Sequence, residues 1–190
     1  MLREREDRIP FHDDEIGVLA EAIRIAEELI SDHFKISTSQ WKRYRYDIQS
    51  LKDLQPEEIT DHAFAQIRRY AFPPHDKTLA SRHGDYFKIC LQDHVIRKAL
   101  ARDPHVDLLP LATYILTHEL IHVVRFARFL QRFDVPEKER DAEEARVHGE
   151  TIGLLKNSKI PGMKEVLRAF GTYPSMETFV TERWETQVSH

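Results

Sequence analysis

Near the middle of the chain stands Thr117-His118-Glu119-Leu120-Ile121-His122. Two histidines four apart, with a glutamate directly after the first, form the pattern H-E-x-x-H. On a helix, residues at that spacing differ by roughly 40° around the axis and about 6 Å along it. Both imidazoles can therefore turn a ring nitrogen toward one Zn2+. Glu119, about 100° from His118, flanks the same face and can serve water at the metal as a general base without ligating. A shuffled chain of this composition would contain such a pentapeptide with a probability of about 0.06, so the surrounding sequence has to supply the rest of the case.

The surroundings do so. Pro110 to Phe133 reads as one long helix. On a helical wheel Leu116, Leu120, Val123, Ala127 and Leu130 share one side. Tyr114, His118, His122, Arg125, Arg128 and Arg132 share the other, so both histidines lie in one polar seam of an apolar helix. A zinc site with these two ligands needs a third. The metzincin continuation would place Gly at 125 and His at 128; this chain has Arg125 and Arg128, which excludes it. The third ligand must then come from the next helix, predicted over 136–156, which carries Asp141-Ala142-Glu143-Glu144-Ala145-Arg146-Val147-His148. Glu144 is the expected ligand and His148, on the same face one turn later, its support. Glu143 and His148 are the alternatives. If the helix presents its 144/148/151/155 face, Leu155 reaches core further along. The 143/147/150/154 face would instead bury Glu143 and Glu150 together.

His118-Glu119-Leu120-Ile121-His122, followed 22 residues later by Glu144 and then by His148, resembles the gluzincin class of zinc metallopeptidases. The likeness runs from Tyr86 to about Leu155; His148 stands where that class more often has Asp or Asn. The resemblance implies a zincin-like domain, a peptide or protein substrate, and Zn2+ held by His118, His122 and Glu144. It implies a strand before the active-site helix, here Tyr86 to Gln92, that edges the cleft and pairs with extended substrate. The bound metal would lower the pKa of its water toward about 7 and polarise the scissile carbonyl. Glu119 would take the water's proton and pass it to the leaving amine. Tyr114, Arg125, His148 and Tyr173 are candidate donors to the oxyanion. The alternative function is a non-catalytic binding or regulatory module on the same scaffold.

The elements that must position these residues follow from pattern. Asp13 to about His33 is predicted helical, with Ile16, Leu19, Ile23, Ala26 and Ile30 on one stripe. A second helix is expected from Pro56 through Tyr70, carrying Ile59, Ala63 and Ile67 and ended by Pro73 and Pro74. Gln40 to Ile48 reads as either a strand or a helix start. Tyr86 to Gln92 alternates, with Phe87, Ile89 and Leu91 on one face and Lys88, Cys90 and Gln92 on the other, as a half-buried strand does. His83-Gly84-Asp85 and Asp103-Pro104 mark turns. A last short helix is expected near 163–170. The fold class is therefore α+β, mostly helical, with a small sheet ahead of the active-site helix.

At 190 residues the chain fits one domain: a helical N-terminal part over 1–80, a metal-site core over 81–156, and a C-terminal helix and tail over 157–190. Hydrophobic residues make up 41% and charged residues 32%, which suits a soluble globular protein. The single cysteine, Cys90, excludes an internal disulfide framework and reads as a packed strand residue. The charged N-terminus lacks the apolar run of a signal peptide. The most apolar stretch, Leu108 to Leu130, carries too many ionisable groups for a lipid-facing span. A cytoplasmic protein is expected, with no membrane partner. Trp41-Lys42-Arg43-Tyr44-Arg45-Tyr46 interleaves bases and aromatics, but at a net charge of −4 no nucleic-acid partner is expected. Oligomeric state is not legible. The Arg125/Arg128/Arg132 stripe should pair with Glu137, Glu139 or Asp141. Gly149 and Gly153 suggest close helix packing. Glu119 with His122 also matches half of a di-iron motif, but Glu144 to His148 is one residue too long for the other half.

Overall fold

The computed structural model describes residues 8–71 and 85–172. The expected turn at His83-Gly84, the helix-ending Pro73 and Pro74, Tyr173 and the tail beyond it lie outside the described residues.

Helix α1, Asp13–Phe34, opens with Asp13, Asp14 and Glu15 in its first turn, where carboxylates meet the positive end of the helix dipole. Glu15 also reaches back to accept a hydrogen bond from the His12 amide at 2.8 Å. Its buried side is Leu19, Ala26 and Ile30 of the predicted stripe together with Ala22, while Ile16 and Ile23 are partly buried. Both readings of the next segment are present: a one-turn helix α2, Thr38–Trp41, then strand β1, Tyr46–Gln49. The aromatics there pack on one another, Trp41 against Tyr44 and Tyr46 at 5.8 and 5.6 Å. Trp41 Nε1 donates to Ser31 Oγ and Tyr46 donates to Glu27, which fastens this segment to α1.

The helix expected from Pro56 to Tyr70 is not there. Pro56–Glu58 is a single 3-10 turn, and Ala65–Ala71 is strand β2. The apolar positions fit a 3.6 period, but Ala65, Ile67 and Arg69 also alternate with Gln66, Arg68 and Tyr70. A neighbouring strand decides between the two readings, because it supplies the backbone hydrogen bonds that local propensity cannot. That neighbour is β3, Asp85–Leu91, against which β2 runs antiparallel with Ile67 opposite Ile89. β1 lies on the other side of β3 and runs parallel, with Tyr46 opposite Phe87. The sheet order is β1-β3-β2, so β3 is central and β2 is an edge.

The faces of β3 are as the alternation predicted. Phe87, Ile89 and Leu91 enter the core. Lys88 faces the other way, where its Nζ donates at 2.8 Å to both oxygens of the buried Glu58. Tyr70 and the Gln55 amide donate to the same carboxylate. Burial opposes its ionisation, but these donors win and hold Glu58 down at about 2. Cys90 is buried, and burial together with the Glu58 charge pushes its thiol up to about 12.

Helix α3, Asp93–Arg102, has no counterpart in the sequence reading. Its first residue, Asp93, is buried and accepts from the amides of Phe11 (2.9 Å) and Leu51 (3.0 Å), tying two distant segments to the end of β3. Helix α4, Leu108–Ala127, runs through the centre and is buried without interruption from Pro110 to Arg125. It stops six residues before the predicted end at Phe133. Phe129 takes the left-handed conformation at φ 57°, and the amides of Leu130 and Gln131 turn back to the Arg125 carbonyl at 2.9 and 3.3 Å. No glycine marks that stop. Helix α5, Glu137–Leu155, and helix α6, Met163–Phe170, lie where the pattern put them. Phe87 stacks on Phe126 and Tyr114 meets Phe170, joining sheet, α4 and α6 in one core. A Cβ built on Gly149 or Gly153 would meet nothing within 4 Å, so these glycines do not serve close packing among the described residues. No described helix is long and apolar enough to cross a membrane.

Candidate metal centre

Helix α4 turns Leu116, Leu120 and Val123 into the core, and this fixes its opposite seam toward α5. Helix α5 buries Val147, His148, Thr151 and Leu155 and leaves Glu144 half-buried above them. That is the 144/148/151/155 face, and it brings the Glu144 carboxylate onto the two histidines. His118 Nε2 lies 3.2 Å from His122 Nε2 and 3.2 Å from Glu144 Oε2, and His122 Nε2 lies 3.1 Å from Glu144 Oε1. Tetrahedral zinc with bonds near 2.05 Å sets its ligand atoms about 3.3 Å apart. The two ring nitrogens thus face the two oxygens of one carboxylate, and one donor atom from each residue lies within 4.8 Å of the others, a group that could hold a metal ion.

The tautomers fit as well. His122 Nδ1 is 3.1 Å from Gln131 Oε1. An amide oxygen only accepts, so Nδ1 carries the proton and Nε2 offers its lone pair to the donor group. This lone pair then faces an ionised carboxylate unless a proton or a metal cation stands between them. The titration behaviour reflects the same need. Burial pulls His118 down to about 4, so that ring is neutral near pH 7. Burial also resists charging His122, but its hydrogen bond to Glu144 and that carboxylate's charge outweigh burial and raise it. Burial would raise Glu144, yet its bonds to both rings hold it well below the usual carboxylate range. The cluster thus stabilises positive charge at its centre.

The other candidates resolve by their partners. Glu143 is taken by Arg125, whose Nη2 donates to it at 2.7 Å, and by Arg146. Arg125 therefore pairs with Glu143 and not with Glu137, Glu139 or Asp141. Arg128 instead donates to the Tyr44 hydroxyl at 2.9 Å and the Phe34 carbonyl at 3.0 Å. His148 stands beside His118, ring centroids 6.4 Å apart, with its Nδ1 hydrogen-bonded to the Tyr114 hydroxyl at 3.0 Å. It is not one of the three donors.

A cleft of about 470 Å3 opens over the donor group. His118, Glu119 and His122 form its floor, residues 63–69 one wall, and Glu144 with Arg140 the other. Glu119 is buried but borders the cleft, outside the donor group. One expectation needs correction. The strand at the cleft is the edge strand β2 and not the stretch 86–92, because β3 is enclosed between β1 and β2. Tyr114, Arg125 and His148 are not among the residues that line the cleft.

No protein-family model, curated protein or solved structure matches this chain.

Two site residues escaped the sequence reading. Gln131 falls inside the helix that the pattern predicted but beyond its observed end at Ala127, and the turn at Phe129 brings it back to His122. Arg140 precedes Glu144 by one helical turn, and the i, i+4 spacing was the available signal.

Proposed function

We propose that this protein is a zinc-dependent metallohydrolase of gluzincin-like, zincin-type architecture, and that its substrate is a peptide or protein. The observation that carries the reading is the convergence of His118 Nε2, His122 Nε2 and the Glu144 carboxylate, with 3.2 Å between the two nitrogens and 3.2 and 3.1 Å from them to its Oε2 and Oε1, and with Glu119 bordering the same open cleft. A structural zinc site is normally closed by four protein ligands; three ligands beside a cleft leave a position for water or substrate. A bound Zn2+ would supply Lewis acidity toward a carbonyl oxygen and toward water.

The chain's own residues do the remaining work. His118 and His122 offer Nε2, with the ring of His122 held in register by Gln131. Glu144 contributes charge as well as a ligand oxygen. Glu119 accepts a proton from water at its carboxylate and returns it to the departing amine nitrogen. β2 has no second partner strand among the described residues, so its outer edge offers main-chain N–H and C=O groups to an extended peptide.

The experiment is elemental analysis of the purified protein and of His118→Ala, followed by a broad peptide-library digest. One zinc per chain, lost in His118→Ala, with cleavage by the wild type alone, is the expected result. Absence of bound metal together with no zinc affinity in titration would overturn the reading. Zinc without any cleavage would turn the assignment to a non-catalytic binding module.

A further inference from the structure

The charges of the cleft do not balance. Its acids are Glu119 and Glu144, and a divalent cation in the donor group would neutralise both. Its walls add Arg68, Arg69 and Arg140. Arg68 alternates to the face of β2 away from the helices and donates to the Glu57 carbonyl. Arg69 is shared: its guanidinium bonds Asp134 at 2.5 Å and lies 5.0 Å over the Phe133 ring. The Arg140 side chain has no hydrogen bond or ion pair among the described residues, although Glu137, Glu143 and Glu144 are all within one helical turn of it. The other arginines that reach toward the body of the protein are engaged: Arg8 with Asp61, Arg97 with Glu15, Arg125 with Glu143 and Arg128 with Tyr44.

Arg140 and Glu144 are one turn apart on the same face of α5, about 6 Å along the axis. An extended peptide advances about 3.3 Å per residue. A group bound by Arg140 would therefore sit roughly two residues from the peptide unit facing His118, His122 and Glu144. A guanidinium is built for a carboxylate, which it can bind through two parallel hydrogen bonds.

We propose that Arg140, assisted by Arg69, selects ligands carrying a carboxylate about two residues from the bond presented to the metal centre, whether a free C-terminus or an Asp or Glu side chain. This rests on the peptide-hydrolase reading above and specifies its substrate class. Arg140 is a specificity residue that touches the ligand and takes no part in the proton transfers.

The test is isothermal titration of zinc-loaded Glu119→Gln, which keeps the cleft but does not consume the ligand. Four peptides of one sequence are used, with C-terminal acid or amide combined with Glu or Gln at a single position. The zinc content of each sample is measured first. The anionic peptides should bind about tenfold more tightly than the neutral one, the scale of one charge-assisted contact. Preference for acid over amide identifies the C-terminus as the source of the carboxylate; preference for Glu over Gln identifies the side chain. Adding Arg140→Gln should abolish the preference and leave affinity for the neutral peptide within about twofold, and Arg140→Lys should restore part of it. Equal binding of neutral and anionic peptides to zinc-loaded protein, or a preference that survives Arg140→Gln, would overturn this inference alone. Protein that takes up no zinc, or zinc-loaded protein that binds none of the four peptides, would overturn it together with the peptide-hydrolase reading.

Discussion

Gln131→Ala removes the one side chain, among the described residues, that holds a histidine of the donor group by its far nitrogen. In the wild type the Gln131 oxygen accepts from His122 Nδ1 at 3.1 Å and keeps the proton off Nε2. Without it, the ring is free to protonate at Nε2 and to rotate away from the donor group. Partners of this kind are typically worth about 10–100-fold in metal affinity, which converts to about 1.4–2.8 kcal/mol. Gln131 is half-buried at the cleft, and its backbone bond to the Arg125 carbonyl survives the substitution, so the melting temperature of metal-free protein should move little. Gln131→Glu places a charged acceptor at the same point, strengthens the bond and makes Nε2 more basic; zinc affinity should match or exceed the wild type. The assay is competition against a chromophoric zinc chelator at pH 7, with His122→Ala marking the loss of a ligand itself. Wild-type affinity in Gln131→Ala, or Gln131→Glu binding no better than Gln131→Ala, would refute the argument that this amide sets the tautomer.

Glu119→Gln should keep its zinc while peptide cleavage falls by about 10²–10⁴-fold; loss of zinc would make Glu119 a ligand. Zinc affinity should fall most for Glu144→Ala, less for His148→Ala and little for Glu143→Ala, whose partners are Arg125 and Arg146; an inverted order in the same chelator assay would point to a three-histidine site. Glu58 titrates at about 2 in the folded chain, below the ordinary carboxylate value. Its contribution to stability is therefore complete above that ordinary value and is lost as pH falls toward 2. Unfolding free energies from urea titration of Glu58→Gln should be lower than wild type at neutral pH, by on the order of 3 kcal/mol for a half-buried lysine left without its partner. The two should converge on acidification, and parallel pH profiles would count against the assignment.

How much of this was legible depended on where each element draws its stability. α1, α5, α6 and the start of α4 carry their apolar stripes in their own sequence, and β3 alternates because both its faces are decided by burial. The pairing of His118 with His122 followed from helix geometry, and the face holding Glu144 from the cost of burying Glu143 and Glu150 together. β2 did not, because an edge strand bearing Arg68 and Arg69 on opposite faces alternates weakly, and its hydrogen bonds come from β3. α3 begins at an aspartate whose task is to receive the amides of Phe11 and Leu51, contacts that only the folded chain creates. The end of α4 is set by a phenylalanine in the left-handed region, where sequence rules look for Gly or Asn. Everything that depends on that turn, Gln131 included, was hidden with it.

The floor of the cleft and its α5 wall differ in how they are anchored. α4 is buried along most of its length, and its amides should exchange with solvent only when the whole domain opens. Over residues 137–146 of α5 there is no buried side chain, and the described ties to α4 are Glu143 with Arg125 and Glu144 with the two histidines. That half of the helix is held by charge, which salt weakens, and not by apolar area. A cation that joins Glu144 to His118 and His122 would stabilise it by RT ln(1 + [L]/Kd). Metal occupancy would thus be written into the lifetime of a single arm of the protein, which makes α5 a latch closed by the ion it helps to bind.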